Sequence, residues 1–521
     1  MRLHDYLEFY TAQTPGTEFA FFNGLSISYA EANDEVNRLA NAFVAAGLEK
    51  GDRFGYLSKN SLDYVIMYYA ASKAGVVPVP LNYRLAPPEW AYILNDSQSS
   101  LLITSAEYQE GINGIRGELE TVGQYFAIDG DNNSEWQDYR QWVADQPSTS
   151  PDRQISTDDD LNQMYTSGTT GHPKGAVATH SSVCANIYQT SMSLRMNAGE
   201  RCLVVAPLYH AAAGFFIFLT ISMGGSLYIQ EDFIPEDVVS ALSGGRICVA
   251  LLVPAMIQAC LMAVPDVAER SYPDLKGISY GASPIAEQTL RRAMDVFKCE
   301  FTQAYGMTEL SAVATLMTSD DHRRALTDKP ELLQSAGRAI LGSEIRIADE
   351  DDNPLPNGEI GEILVRGPQV MRGYWNMPEA TAEALRGGWM HTGDAGIMDD
   401  EGYIYIRDRV KDMIVSGGEN VYPNVIENLL FQHPSVADVA VIGVPDERWG
   451  ETVKAVVVLR DGASATDEEI MEFCRGKLGG FERPRSVDFI DALPRNASGK
   501  VLKRDLREPY WEGYERRVAG A

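Results

Sequence analysis

The chain has 521 residues, of which 45% are hydrophobic and 22% charged, an ordinary globular composition that excludes a mainly disordered or fibrous protein. Its 44 Lys and Arg against 73 Asp and Glu give a net charge of −29, which repels phosphate backbones and argues against general nucleic-acid or anionic-membrane binding. Six cysteines with no CxxC spacing are too sparse for a disulfide framework and suit reduced thiols in the cytoplasm. The N-terminal MRLHDYLEFYTAQ carries Asp5 and Glu8 and has no apolar run, so it is not a secretory signal.

In chain order, Phe54–Leu57 reads as a strand. Ser61 or Asp63 caps a helix through Ala74, and Val76–Val79 is the next strand, one βαβ unit. Apolar runs recur at Cys202–Ala206, Leu227–Gln230 and Ile247–Val253, the alternation of parallel sheets layered with helices. Leu203 to Ile229 lacks Asp, Glu, Lys and Arg. Pro207, His210, Gly214 and Gly224-Gly225 interrupt it, so strand, loop and buried helix are expected rather than a membrane span. After about Ser335 the runs Glu344–Ile347, Glu362–Val365 and Tyr403–Ile406 are short and separated by turns, as in a small antiparallel subdomain. From Lys411 a third texture begins. Val436–Val444, Val453–Leu459 and Val487–Ile490 read as strands and Asp467–Leu478 as a helix, a compact α+β domain.

The chemistry-bearing segment is Tyr165-Thr166-Ser167-Gly168-Thr169-Thr170-Gly171-His172-Pro173-Lys174-Gly175, after the strand Leu161–Met164. Its glycines let backbone amides approach an anion, its hydroxyls donate, and Lys174 adds positive charge. This is a phosphate-cradling composition, or a surface hairpin rich in turn residues, and it does not match the Walker pattern. Further along stand Gln303-Ala304-Tyr305-Gly306-Met307-Thr308-Glu309, Trp389-Met390-His391-Thr392-Gly393-Asp394, Arg407-Asp408-Arg409-Val410-Lys411-Asp412 and Pro494-Arg495-Asn496-Ala497-Ser498-Gly499-Lys500. Tyr305 offers a flat face to an aromatic base. Glu309 is a hard oxygen ligand suited to Mg²⁺. The Asp394 carboxylate can accept two hydrogen bonds from vicinal hydroxyls or cap a turn. Lys503, Arg504 and Arg507 read as a solvated basic face.

These segments, in this order, resemble the signature motifs of the adenylate-forming enzymes: acyl-CoA synthetases, firefly luciferase and the adenylation domains of peptide synthetases. The resemblance runs from about residue 10 to 510. It implies a large N-terminal AMP-binding domain, 1–409, of two parallel-type sheets layered with helices. A small β-barrel-like subdomain, 335–409, completes it. A mobile α+β domain, 410–521, follows, hinged at Lys411. It implies catalytic or substrate roles for Lys500, Lys174, Glu309, Thr308 and His210, with Mg²⁺ on Glu309 and Thr166. ATP would be held by Thr166, Ser167, Gly168, Thr169, Thr170, Gly171 and Lys174; by Gly281, Ala282, Ser283, Gln303, Ala304, Tyr305, Gly306 and Thr308; and by Asp394 and Arg409. Lys411, Gly417, Gly418 and Lys500 would act from the mobile domain, with coenzyme A as co-substrate.

Pro207-Leu208-Tyr209-His210-Ala211-Ala212-Ala213-Gly214 resembles the family segment beside the acyl pocket. Nothing between Leu203 and Ile229 could pair with an amine, which disfavours an α-amino acid substrate. A medium- or long-chain fatty acid fits best. An aryl or arylpropenoic acid comes second, because the plant hydroxycinnamate ligases carry a Tyr where this chain has Ala212. Loading of a carrier protein and a non-catalytic nucleotide-binding relative are the other readings. Nothing in the residues selects a monomer over a homodimer.

Overall fold

The structure is a computed structural model. It describes residues 1–129, 135–166, 173–194, 196–283, 285–409, 412–416, 419–446, 448–495 and 501–511. Contacts divide the chain into two compact units, Met1–Ile345 with Val365–His391, and Arg346–Leu364 with Thr392–Ala521.

The first unit contains the two expected sheets. One has nine strands in the order Arg338–Ala339, Thr315–Met317, Glu300–Tyr305, Gly277–Gly281, Ile247–Leu251, Arg201–Val204, Ser226–Ile229, Glu18–Phe22 and Leu25–Ser28. The six strands from Glu300–Tyr305 to Glu18–Phe22 run parallel, and the edges are antiparallel. The other has five parallel strands, Val77–Pro80, Arg53–Leu57, Leu101–Ser105, Gln124–Ile128 and Gln137–Asp138. Parallel strands need crossover helices on their faces. The helix Leu62–Ala74 is one, and it shows how local residues set its limits. The Ser61 hydroxyl accepts the Tyr64 amide at 3.1 Å, and Gly75 ends the helix at φ 74°, where a side chain would be strained. Every residue from Tyr64 to Ala74 is buried, so this helix is enclosed on all sides.

The interval Leu203 to Ile229 is strand, loop and the buried helix Ala211–Ser222. Among the described residues no helix is long and apolar enough to cross a membrane. A three-stranded antiparallel sheet, Asp160–Thr166, Lys174–Thr179 and Gly373–Tyr374, carries the phosphate-loop strands. The cysteines form no disulfide, and burial pushes the Cys202 and Cys260 thiols up to about 12.

A four-stranded sheet of Glu344–Ala348, Gly361–Arg366, Met390–Met398 and Ile404–Arg409 falls mostly in the second unit. That unit also has a sheet ordered Glu419–Val421, Ile414–Ser416, Gly450–Leu459 and Val436–Asp446, with Ser486–Phe489 parallel to Gly450–Leu459. Its core joins Ile414, Val421, Ile426, Val441, Val457 and Ile470. One expected helix is shorter than the sequence pattern indicates. It spans Asp467–Phe473 rather than running to Leu478, and Gly476 beyond it sits at φ 73°, a conformation that continues no helix.

Candidate active site

The first cluster grows from the three-stranded sheet. Thr166 ends one strand, Lys174 begins the next, and the two are register partners. Residues 167–172, which include Ser167, Gly168, Thr169, Thr170 and Gly171, lie outside the described residues. Glu309 enters from the 3₁₀ helix Thr308–Leu310 and is only 4% exposed. Its carboxylate takes a 2.8 Å hydrogen bond from the Tyr374 hydroxyl and a longer one, 3.5 Å, from the Thr166 hydroxyl. The Lys174 ammonium sits 5.0 Å from the centre of the Tyr374 ring, within cation–π range. A buried carboxylate, two hydroxyls and an ammonium therefore gather at one end of the sheet. Tyr374 was not foreseen.

The second cluster lies at the carboxyl ends of two parallel strands, where open α/β sheets bind ligands. Gly281 is the register partner of Ala304, so Gly281, Ala282 and Ser283 lie beside Gln303, Ala304 and Tyr305. A Cβ on Gly281 would come within 2.1 Å of the Ala304 carbonyl oxygen, and one on Gly306 within 1.9 Å of the Ala312 oxygen. Both positions are closed to any side chain by backbone. Gln303 is steadied from behind. The Tyr280 hydroxyl reaches its Oε1 at 3.3 Å and the His322 Nε2 at 2.9 Å.

His210 caps the helix Ala211–Ser222, its Nδ1 accepting the Ala212 amide at 3.3 Å. Burial lowers its pKa, so the ring is neutral at pH 7, with its proton on Nε2. Ala211, Phe215, Phe218 and Met164, with the polar Asn162, Thr308 and Ser311, line a small uncharged crevice.

In the second unit, Asp394 and Arg409 are register partners on adjacent strands, and the Arg409 Nε meets the Asp394 carboxylate at 2.7 Å. The Thr392 hydroxyl accepts the Asp394 amide at 3.1 Å. Lys411, Gly417, Gly418 and Lys500 lie outside the described residues. The basic run after them is not the solvated face its sequence suggests. Lys503 is 2.8 Å from Glu427 and Arg507 2.8 Å from Asp412, all four largely buried. Arg504 alone of the three is well exposed.

The AMP-binding enzyme family matches residues 7–375, and its C-terminal domain matches residues 425–500. The chain belongs to the AMP-binding enzyme family. It is 40% identical to a feruloyl-CoA synthase of Amycolatopsis sp over 491 residues, 94% of each chain. It is 38% identical over 487 residues, 93% of each, to the long-chain-fatty-acid–CoA ligase FadD13 of Mycobacterium tuberculosis. To the fatty acid–[acyl-carrier-protein] ligase ScoC of Streptomyces coeruleorubidus it is 35% identical, over 98% of this chain and 96% of that one. The ATP-bound MatB structure from Rhodopseudomonas palustris superimposes with a TM-score of 0.88 at 31% identity, covering 99% of this chain and all of that one.

Proposed function

We propose that the protein is an AMP-forming acid:CoA ligase whose acid is a medium- or long-chain fatty acid. The observation that carries the adenylating part is the gathering of Thr166, Lys174 and the buried Glu309 carboxylate beside the phosphate-loop strands.

A carboxylate is a poor acyl donor. It is ionised at neutral pH, so its oxygen attacks the α-phosphorus of ATP without a general base. Pyrophosphate leaves, and an acyl-adenylate forms. The site's task is alignment and positive charge. In this reading Lys174 binds the β- and γ-phosphates and Lys500 the α-phosphate with the incoming carboxylate. Tyr305 stacks on adenine between the Gly281–Ser283 segment and Gly306. Asp394 and Arg409 hold the ribose hydroxyls. Glu309 and Thr166 fit Mg²⁺, which binds through one or two carboxylates plus substrate phosphates rather than a full protein cage. The ion would neutralise phosphate charge there. The CoA thiol then attacks the adenylate carbonyl and AMP departs. We assign residues 410–521 to a mobile domain that turns about Lys411 between the two steps, withdrawing Lys500 and presenting Gly417 and Gly418.

The uncharged run from Leu203 to Ile229 favours an apolar acyl chain. An aryl or arylpropenoic acid is the second reading, supported by the relation to a feruloyl-CoA synthase and opposed by Ala212, whose methyl cannot bind a ring hydroxyl. Pyrophosphate release over a panel of alkyl and aryl acids, with and without CoA, tests both. Turnover that requires CoA and rises with alkyl chain length supports the proposal. Faster turnover with hydroxycinnamates selects the second reading, and CoA-independent loading of a carrier protein points to the ScoC-like activity.

A further inference from the structure

One side chain touches both charged groups at the phosphate end. The Tyr374 hydroxyl donates to the Glu309 carboxylate at 2.8 Å, and its ring lies 5.0 Å from the Lys174 ammonium. Its backbone is fixed on every side. Met371 N donates to the Glu309 carbonyl oxygen at 2.8 Å, and Arg372 N to Val177 O at 2.9 Å. Trp375 N donates to Gly175 O at 2.8 Å. Tyr374 N donates to the Thr381 hydroxyl at 2.9 Å. Gly373 and Tyr374 pair with Val177 and Ala176, in the strand that begins with Lys174. A Cβ on Gly373 would come within 2.6 Å of Cγ2 of Thr381, the residue whose hydroxyl holds the Tyr374 amide. The next ring, Trp375, is covered by the Arg53 guanidinium at 3.5 Å, itself 2.7 Å from Asp160.

An ammonium and a carboxylate brought to one pocket tend to close on each other, and each then loses its hold on a ligand. Among the described residues no ion pair joins Lys174 to Glu309. The Lys174 ammonium rests on the tyrosine face, and one carboxylate oxygen of Glu309 is held by the tyrosine edge. We propose that Tyr374 is a positioning residue that aims Glu309 at a divalent cation and holds Lys174 ready for the phosphate chain. This rests on the roles given above to Glu309 and Lys174.

The test is ATP affinity measured calorimetrically in Mg²⁺ and in EDTA, with no acid or CoA present. The wild type should bind ATP more tightly in Mg²⁺. Tyr374→Phe keeps the ring and removes the hydroxyl. It should cut that Mg²⁺ advantage about tenfold, the scale of one hydrogen bond to a charged group, while affinity in EDTA stays within about twofold. Tyr374→Leu removes the ring as well and should weaken binding in both media. In a Glu309→Gln background, Tyr374→Phe should have no further effect, since the two side chains act as one unit. Equal weakening of Tyr374→Phe in both media, or none, overturns the positioning role. A wild type indifferent to Mg²⁺ overturns the Glu309 assignment and this inference with it.

Discussion

Burial shifts different titratable groups in the two units. The first buries imidazoles. His4 Nδ1 lies 2.8 Å from the Ser72 hydroxyl, and His180 Nδ1 accepts the Leu3 amide. His322 donates from Nδ1 to the Thr318 carbonyl and faces the Tyr280 hydroxyl with Nε2. Burial lowers all three, to about 4, 3 and 4. In the second unit the group that burial shifts is a carboxyl. Burial pushes Asp408 up to about 6, with the Lys503 ammonium pulling it down and the Glu427 carboxylate pushing it up. Asp408 accepts the Asn424 amide at 2.8 Å and the Arg409 amide at 2.7 Å. His4 and His180 tie the N-terminal helix to the helices Leu62–Ala74 and His180–Ser191, and His322 backs the Tyr280 hydroxyl beside Gln303. The carboxyl sits at the end of the strand that leads to Lys411. The two units should therefore answer both mutation and acid differently.

Lys500 is the largest expected break between them. It belongs to the second unit's sequence, whereas Thr166, Lys174 and Glu309 belong to the first. Lys500→Ala should lower pyrophosphate release about a hundredfold or more, the scale of removing one preorganised charge donor. Thioester formation from supplied acyl-adenylate and CoA should stay within about threefold of wild type if the lysine withdraws between steps. Lys411→Pro should do the reverse, because a fixed φ hinders rotation at that residue. Equal damage to both half-reactions by Lys500→Ala would remove the alternation.

Acid sharpens the comparison. The imidazole pKa values lie below the ordinary 6.5, so their contribution to stability is present above pH 6.5 and is lost as pH falls toward 4. At pH 5 each costs about 2 kcal/mol relative to pH 7. Asp408 has the opposite sign. Its folded value lies above the ordinary 3.9, so its contribution is full below about pH 4 and is lost as pH rises through 6. Hydrogen exchange at pH 7 and pH 5, corrected for intrinsic rates, should show amides of Glu300–Tyr305 and Lys174–Thr179 opening more easily at pH 5. Those of Val436–Asp446 and Gly450–Leu459 should hold. Parallel loss in both sets would contradict the assignment.

The contrast also marks how far the sequence could be read. Short-range rules placed Phe54–Leu57, the Ser61 cap and the helix to Ala74, because each depends on neighbours within a turn. Contiguous motifs brought Thr166, Lys174 and Glu309 forward as candidates, and the fold gathers them. Tyr374 escaped because its partner Glu309 is 65 residues away, and nothing around Gly373-Tyr374-Trp375 looks like chemistry. Arg507 was misread for the same reason. Its carboxylate partner Asp412 lies 95 residues back, so a run of basic residues hid ion pairs that only the fold reveals. The helix beginning at Asp467 ends at Phe473, sooner than its apolar spacing to Leu478 suggests, and Gly476 beyond it has left helical backbone.

Ala212 probes the first unit alone. It lies in the first turn of the helix whose Ala211, Phe215 and Phe218 line the crevice. Ala212→Trp adds bulk to the first turn of that helix, and overpacking of this kind costs about 1–3 kcal/mol. Long acyl chains should lose about tenfold or more in kcat/KM, while adenylation of short acids is retained. An unchanged chain-length profile would take Ala212 out of the acyl wall.

The smallest effect expected is that of salt on CoA association. CoA and ATP are polyanions, and the chain carries −29. Attraction at long range would require an extended basic surface, and the basic run after Lys500 is the place for one. Among the described residues the fold removes it. Lys503 is neutralised in place by Glu427 and Arg507 by Asp412, and Arg504 faces Asp505 at 3.4 Å. What steers CoA must then be local, acting within a Debye length of about 8–10 Å. Raising ionic strength from about 0.05 to 0.3 M screens a global repulsion and a local attraction together. The stopped-flow association rate should change by no more than about twofold, or rise. A steep fall, of the kind expected for steered association, would mean that the second unit presents a basic surface to its ligand despite these pairs, and the electrostatic difference between the units would have to be redrawn.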